Sequence, residues 1–236
     1  MDFDMIRPIF GGKMSQPQVD GVNHIIEMWN RYGDGDNRKL AYLLATTAWE
    51  TAYTMQPIPE RGGKNYFAKY EPDTKIGKML GNTLPGDGYK FRGRGYVQLT
   101  GRRNYNRAGK AVGLDLVKDP DLALMPEASG RILIIGAMEG WFTSRKLSDY
   151  INHTGCDFIA CRKIINGLDK ADQIAGLASM FARAVVTNAA PKEAVKTPKL
   201  VLPKLPQLAL PKVSFRLKLQ LLIMLVIAAL KRVFRK

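Results

Sequence analysis

Apolar residues recur at helical spacing along most of the first 186 positions. Val22, Ile25, Ile26 and Trp29 follow Ser15 and Gln18, which fit a capping box, and together they predict a helix. A turn at residues 33–37 leads into a second stripe, Leu40, Leu43, Leu44, Thr47, Ala48 and Thr51. At about 100° per residue, Glu50 falls at the edge of that stripe, beside Leu43. Pro126 opens a run through Ile132, Leu133, Ile134, Ile135 and Met138 to Trp141 and Phe142. Apolar on every side, it predicts a buried central helix, with Gly136 and Gly140 admitting close packing. Thr154 or Asp157 is expected to cap a short helix ending at Asn166-Gly167. Ile174, Leu177, Ala178, Phe181 and Val185 mark a last amphipathic helix. Between these elements, Met55 to Tyr105 holds nine glycines and four prolines (57, 59, 72 and 85) and reads as loop with short strands at most. The expected fold class is therefore mainly α with minor β, and its one long irregular region is where function is expected.

The texture changes after residue 186. Pro191, Pro198, Pro203, Pro206 and Pro211 alternate with lysines and isolated aliphatics, as in an extended, semi-rigid linker. Residues 215–236 follow, uninterruptedly apolar from Leu221 to Leu230 and basic at both ends. Three segments are expected: a folded domain over 1–186, a Pro/Lys-rich linker over 187–214, and a hydrophobic helix over 215–236. The charge follows this division. The chain carries a net +15, and residues 187–236 contribute eleven Lys and Arg against one acid, Glu193. An anionic partner is thus mainly a matter for the tail. Ten apolar residues make only about 15 Å of helix against a bilayer core of ~30 Å. Extension to Leu217 and Phe234, with the flanking cations snorkelling, gives about 27 Å. Spanning a membrane, lying on an anionic one and docking on a partner all remain open for this helix.

The chemistry concentrates between Phe91 and Tyr105, FRGRGYVQLTGRRNY. Glycines at 93, 95 and 101 allow positive φ or close backbone approach. Tyr96, Gln98, Thr100, Asn104 and Tyr105 supply flat faces and neutral hydrogen-bonding groups, the equipment of a groove for a polymeric sugar. Hydrolysis of a glycosidic bond commonly uses two carboxyls, one donating a proton to the leaving oxygen, the other activating water or attacking. Glu50, beside Trp49 at the edge of an apolar helix face, is in a setting that favours a protonated acid. Glu60, in a Pro- and Gly-flanked loop, is expected to stay solvated and ionised. Read without further context, Glu50 is an ordinary helix-end glutamate, Thr100 and Gln98 a polar strand edge, and Asn166 a helix end. Arg92, Arg94, Arg102 and Arg103 with interleaved tyrosines could suit nucleic acid, but no nucleic-acid-binding motif accompanies them. His24 and His153 fall in no ligand spacing, so neither metal nor cofactor is expected, and Cys156 and Cys161 read as reduced, mostly buried thiols.

Four elements taken together resemble glycoside hydrolase family 19, which includes plant and bacterial chitinases and many bacteriophage endolysins. They are Trp49-Glu50-Thr51, Pro59-Glu60-Arg61-Gly62, the run from Gly86 through Gly109, and Ile164-Ile165-Asn166-Gly167. All stand in family order, and the resemblance covers roughly residues 20 to 186. Trp49 replaces the family's usual His, and Arg102-Arg103 is more basic than the plant pattern. The resemblance implies a lysozyme-like helical domain and an inverting reaction. It implies Glu50 as general acid, Glu60 as general base and Thr100 as a holder of the attacking water. Tyr96, Gln98, Asn104, Tyr105 and Asn166 would line the groove.

The function expected first is an endolysin-type hydrolase cutting β-1,4 bonds of bacterial peptidoglycan, with the tail acting on an anionic membrane. The N-terminus, MDFDMIRPIF, carries acids and no long apolar stretch, so synthesis in a bacterial host cytoplasm without a signal peptide is expected, with action at the cell wall. The alternatives are a chitinase acting on chitin oligomers and a non-catalytic, membrane-anchored wall-binding protein. A monomer is expected, and no nucleic-acid partner.

Overall fold

The computed structural model describes residues 1–185. The linker over 187–214 and the hydrophobic helix over 215–236 lie outside the described residues. Among those described, no helix is long and apolar enough to cross a membrane. The chain runs α1 (Phe3–Ile6), α2 (Gln16–Tyr32), α3 (Asn37–Glu50), β1 (Ile58–Pro59), α4 (Lys64–Phe67), α5 (Lys75–Leu80) and α6 (Asp87–Lys90). It continues through β2 (Arg94–Gly95), α7 (Arg102–Val112), α8 (Pro126–Glu139), β3 (Ile151–Asn152), β4 (Gly155–Cys156) and α9 (Ala171–Ala184). The fold is mainly helical with minor β, as the spacing of apolar residues predicts.

The long helices form where the pattern places them. Gln18 Oε1 accepts the Ser15 N–H at 2.8 Å, one half of the capping box at the start of α2. Asp36 Oδ1 accepts the Arg38 N–H at 3.0 Å and opens α3. α3 packs along α9 and α2 along α8, and their inward faces join one hydrophobic core. α3 is more deeply enclosed than a single stripe implies, since every residue from Lys39 to Ala48 is buried.

α8 is the buried central helix, with a charged residue inside it. Arg131 is only 1% exposed. Its guanidinium donates to the carbonyls of Val112 and Ala111, each at 3.2 Å, so it caps the C-terminus of α7, where unsatisfied carbonyls favour a cation. Gly136 does admit close packing, because a Cβ there would meet Phe142 at 2.4 Å. Gly140 has another role. With φ at +75° it terminates α8, and Trp141 and Phe142 turn back over the helix instead of extending it.

The region from Met55 to Tyr105 departs most from expectation. It holds three short helices, α4 to α6, besides the two-residue strands and the first turns of α7. Helices of four to six residues are too short to stand alone; Thr74 caps α5 by accepting the Gly77 N–H at 2.9 Å, and longer-range side-chain bonds support α6 and the flanks of α5. Asn82 donates to Tyr70 O at 2.7 Å and accepts the Arg102 N–H at 2.8 Å. Glu71 accepts the N–H groups of Gly86 and Gly88. Asp87 is buried, which works against its charge. The Arg102 guanidinium and the N–H groups of Thr83 and Leu84 outweigh that effect and hold its carboxyl below the usual range.

Two smaller expectations change. Asp157, not Thr154, caps the segment before Asn166 by accepting the Ala160 N–H at 2.8 Å, and that segment is a 3-10 turn over Ala160–Ile164. Thr154 instead sits in the β3–β4 hairpin turn. Cys161 is buried, but Cys156 is exposed, because β4 forms the outer strand of the hairpin while Ile151 on β3 is buried in the core.

Arg94 ties the irregular region together. Its side chain is 4% exposed and donates to Asp121 Oδ1 at 2.7 Å, Lys90 O at 2.8 Å and the Tyr105 hydroxyl at 3.0 Å. Arg94→Ala would leave buried acceptors unpaired, with Asp121 returning to solvent. The expected loss of stability is about 2–4 kcal/mol, read as a lower midpoint in urea unfolding of the full chain.

Candidate active site

Glu50 is the last residue of α3, and the chain turns sharply after it. Ala52, Tyr53 and Met55 hold left-handed backbone with φ of +50°, +62° and +55°, a conformation costing roughly 1–3 kcal/mol per non-glycine residue. The surroundings fix it. Tyr53 N–H donates to Ala48 O at 2.6 Å, and Gln18 Nε2 donates to Tyr53 O at 2.9 Å. The Thr51 hydroxyl donates to Thr47 O and accepts the Met55 N–H. Trp49 packs edge-on against Tyr53 at 6.3 Å and steadies the same turn.

The setting of Glu50 differs from the apolar one expected. Its Oε1 accepts a hydrogen bond from Arg162 at 2.7 Å, and the Arg162 side chain is only 4% exposed. A second Arg162 donor holds Asp169 O at 3.1 Å. The guanidinium is thus fixed behind the carboxyl, and among the described residues Glu50 Oε2 has no hydrogen-bond partner.

Glu60 is placed by the β1–β2 pair, where Pro59 stands opposite Arg94 and Ile58 opposite Gly95. Its N–H donates to Gly93 O at 2.8 Å, and the Gly93 N–H returns to Glu60 Oε2 at 3.1 Å. Glycine there leaves room for both side chains, since a Cβ would come within 2.7 Å of Gln98 Oε1 and 3.1 Å of Glu60 Oε2 and displace them. The Tyr70 hydroxyl donates to Glu60 Oε1 at 3.3 Å. Glu60 is half-buried and held by two donors, where the sequence suggests a freely solvated loop residue. Burial, then the charge of Glu60, raises the Tyr70 phenol above its ordinary pKa and keeps it a donor.

Both glutamates open on one cleft of about 1100 Å³, and Gln98, Thr100, Asn104 and Asn166 line it with them. Gln98 has φ of +54°, and its Nε2 donates to Ile58 O at 2.9 Å, bracing the strand pair beneath Glu60. The Thr100 hydroxyl donates to Gln98 O at 2.8 Å, and Asn104 Nδ2 donates to Thr100 O at 2.8 Å. Asn166 is exposed at the cleft edge.

Tyr96 and Tyr105 are not on the wall. They are 1% and 0% exposed. The Tyr96 backbone N–H donates to Ser129 Oγ at 2.7 Å, with its ring facing His24, while the Tyr105 hydroxyl donates to Arg92 O at 2.8 Å behind the loop. Burial pushes both phenols up to about 12. Tyr96, in the turn after β2, and Tyr105, on the inward face of α7, point into the core, while Gln98 and Asn104 close by line the cleft. The arginines divide likewise. Arg94 and Arg102 are internal partners of Asp121 and Asp87, so the run carries no four-arginine surface patch.

Tyr70, Arg103, Arg107, Arg162 and the Trp141–Ser144 segment reach the site without having been singled out for it by the sequence. Arg103 and Arg107 were within reach of pattern, because they stand one turn apart on α7 beside Asn104. Arg162 was not, being 112 residues from Glu50 with no local signature.

A family model described as chitinase class I, of glycoside hydrolase family 19, matches residues 27–153. The match contains Glu50, Glu60 and the run to Tyr105 but stops before Arg162 and Asn166. An acidic endochitinase of Petunia hybrida is 57% identical over 94 residues, covering 38% of this chain and 32% of that protein. An acidic 27 kDa endochitinase of Solanum lycopersicum is 60% identical over 35 residues, covering 15% of this chain and 14% of that protein. The chain therefore aligns with about a third or less of the length of these relatives. Chitinase C from Streptomyces griseus superposes with a TM-score of 0.53 at 18% identity, over 80% of this chain and 93% of that one, a likeness of fold.

The coupling of Tyr70 to Glu60 is directly testable. In spectrophotometric titration, the tyrosine lost in Tyr70→Phe should be one that ionises above the ordinary range. Glu60→Gln should lower that pKa without restoring the ordinary value, because burial persists.

Proposed function

Because the chain belongs to the chitinase class I family, glycoside hydrolase family 19, we propose that it hydrolyses β-1,4 bonds of an N-acetylglucosamine-containing glycan with inversion. The observation that carries this reading is the convergence of Glu50 and Glu60 on one cleft with different partners. Chitin-type chains stand first as substrate, since the relatives are named as chitinases. Peptidoglycan, which the sequence puts first, shares the N-acetylglucosamine unit and stands second. The membrane role of residues 215–236 and the site of action at a cell wall rest on sequence alone.

Glu60 takes hydrogen bonds from Gly93 and Tyr70, both donors, an arrangement suited to a group that must accept a proton from water. Thr100 spends its proton on Gln98 O, so its oxygen can accept a hydrogen bond from the attacking water. Water attacks the anomeric carbon and its proton passes to Glu60. The bond to the glycosidic oxygen breaks as Glu50 delivers a proton to that oxygen. That proton is best carried on Oε2, because Oε1 is engaged by Arg162. Arg162 positions Glu50 and does not itself touch the glycan. Attack from the face opposite the leaving group turns a β linkage into an α product.

Glu50→Gln and Glu60→Gln should each lower the hydrolysis of chito-oligosaccharides by about 100- to 10,000-fold, measured by reducing-end release. Proton NMR of wild-type products should show the α anomer first. Full activity in Glu50→Gln, or an initial β product, would refute the mechanism.

A further inference from the structure

The wall of the cleft formed by α7 is charged in a way that a neutral sugar polymer does not require. Arg103, Asn104 and Arg107 lie on one side of α7, with Thr100 just before its start, and all line the cleft. Asn104 and Thr100 suit the hydroxyls and amides of neutral sugars. The two arginines add fixed positive charge about 6 Å apart along the helix.

Three other arginines near the cleft and its walls meet carboxylates. Arg94 is paired with Asp121, Arg102 with Asp87 and Arg162 with Glu50. Arg103 and Arg107 have only carbonyl partners among the described residues: Met79 O at 2.7 Å and Trp141 O at 3.3 Å. Each contact uses one N–H of a guanidinium that carries five, and it pins the group against the cleft wall. The remaining donors form the fork that matches a carboxylate. Of the carboxylates lining the cleft, Glu50 is matched by Arg162 and Glu60 is held by Tyr70 and Gly93, so neither is ion-paired with Arg103 or Arg107.

We infer that the α7 wall is a subsite for a carboxylate-bearing sugar, so that the cleft proposed above for chitin-type chains binds an acidic copolymer containing N-acetylglucosamine more tightly than a wholly neutral chain. The inference rests on the cleft being the glycan site, as proposed above, and assigns Arg103 and Arg107 as specificity determinants. A lactyl ether, as in peptidoglycan, or a uronate would each supply the carboxylate.

Binding separates this inference from the catalytic one. Calorimetry on the full chain carrying Glu60→Gln would use four oligosaccharides of equal length. One alternates N-acetylglucosamine with its lactyl ether, one is the same compound with the lactyl group amidated, one alternates N-acetylglucosamine with glucuronate, and one is chitin-derived. The free lactyl or the uronate form should bind about tenfold more tightly than the amidated and chitin forms, with the gap closing as salt is raised. Arg103→Gln and Arg107→Gln should each reduce that ratio several-fold. The lysine variants should retain part of it, since charge survives without the fork. Tail-borne charge is common to all variants and cancels in the comparison. The lactyl and uronate arms show which carboxylate is preferred. Equal affinity for free and amidated forms, or a ratio untouched by both Gln variants, would overturn the subsite. Failure of wild type to hydrolyse any of the four would count against the catalytic reading and leave the binding ratio to be judged separately.

Discussion

An irregular segment can form a rigid wall only if its polar groups find partners away from water, and in this protein the buried guanidinium of Arg94 meets that constraint. It gathers Lys90 O, the Tyr105 hydroxyl and Asp121 around one side chain, and so draws the end of α6, the start of α7 and the turn before α8 together. The β1–β2 pair depends on the same residue, since Arg94 stands opposite Pro59 and exchanges backbone bonds with Leu99. Glu60 follows Pro59 directly. The position of one carboxylate therefore rests on a cation that never reaches the cleft.

The two glutamates illustrate how location fixes chemical character. Glu50 ends a helix enclosed on all sides, and its one strong partner is a buried arginine from the far end of the domain. Glu60 lies on a loop, but a glycine without a side chain lets a backbone N–H reach it, and a half-buried tyrosine completes the cradle. The turn after Glu50 is strained, and Gln18 from the N-terminal capping box is one of the groups that hold it. Local signals at the start of α2 thus serve the geometry at the end of α3.

Charge has a comparable division of labour. Arg94, Arg102, Arg131 and Arg162 are spent on carboxylates, carbonyls and a helix terminus, where burial makes each bond count. Arg103 and Arg107 remain on the cleft wall, and they give the α7 side a chemistry distinct from the amides and hydroxyls beside them.

Periodicity alone determined the long helices, the mainly α class and the central position of α8, because burying an apolar face needs only the spacing of that face. Motif order likewise marked Glu50, Glu60, Gln98, Thr100, Asn104 and Asn166, all of which line one cleft. The short helices α4 to α6 were the hardest to read: α5 carries a local cap in Thr74, but α6 and the flanks of α5 are held by Asn82, Glu71 and Asp87 bonding to residues distant in sequence. Tyr96 and Tyr105 looked like sugar-binding aromatics, yet a tyrosine's composition is the same on a wall or behind it. Only packing against Ser129, His24 and Arg94 sent them inward. Arg162 reaches Glu50 across 112 residues, a meeting that no local pattern encodes and that the packing of α3 against α9 and the turn before it brings about.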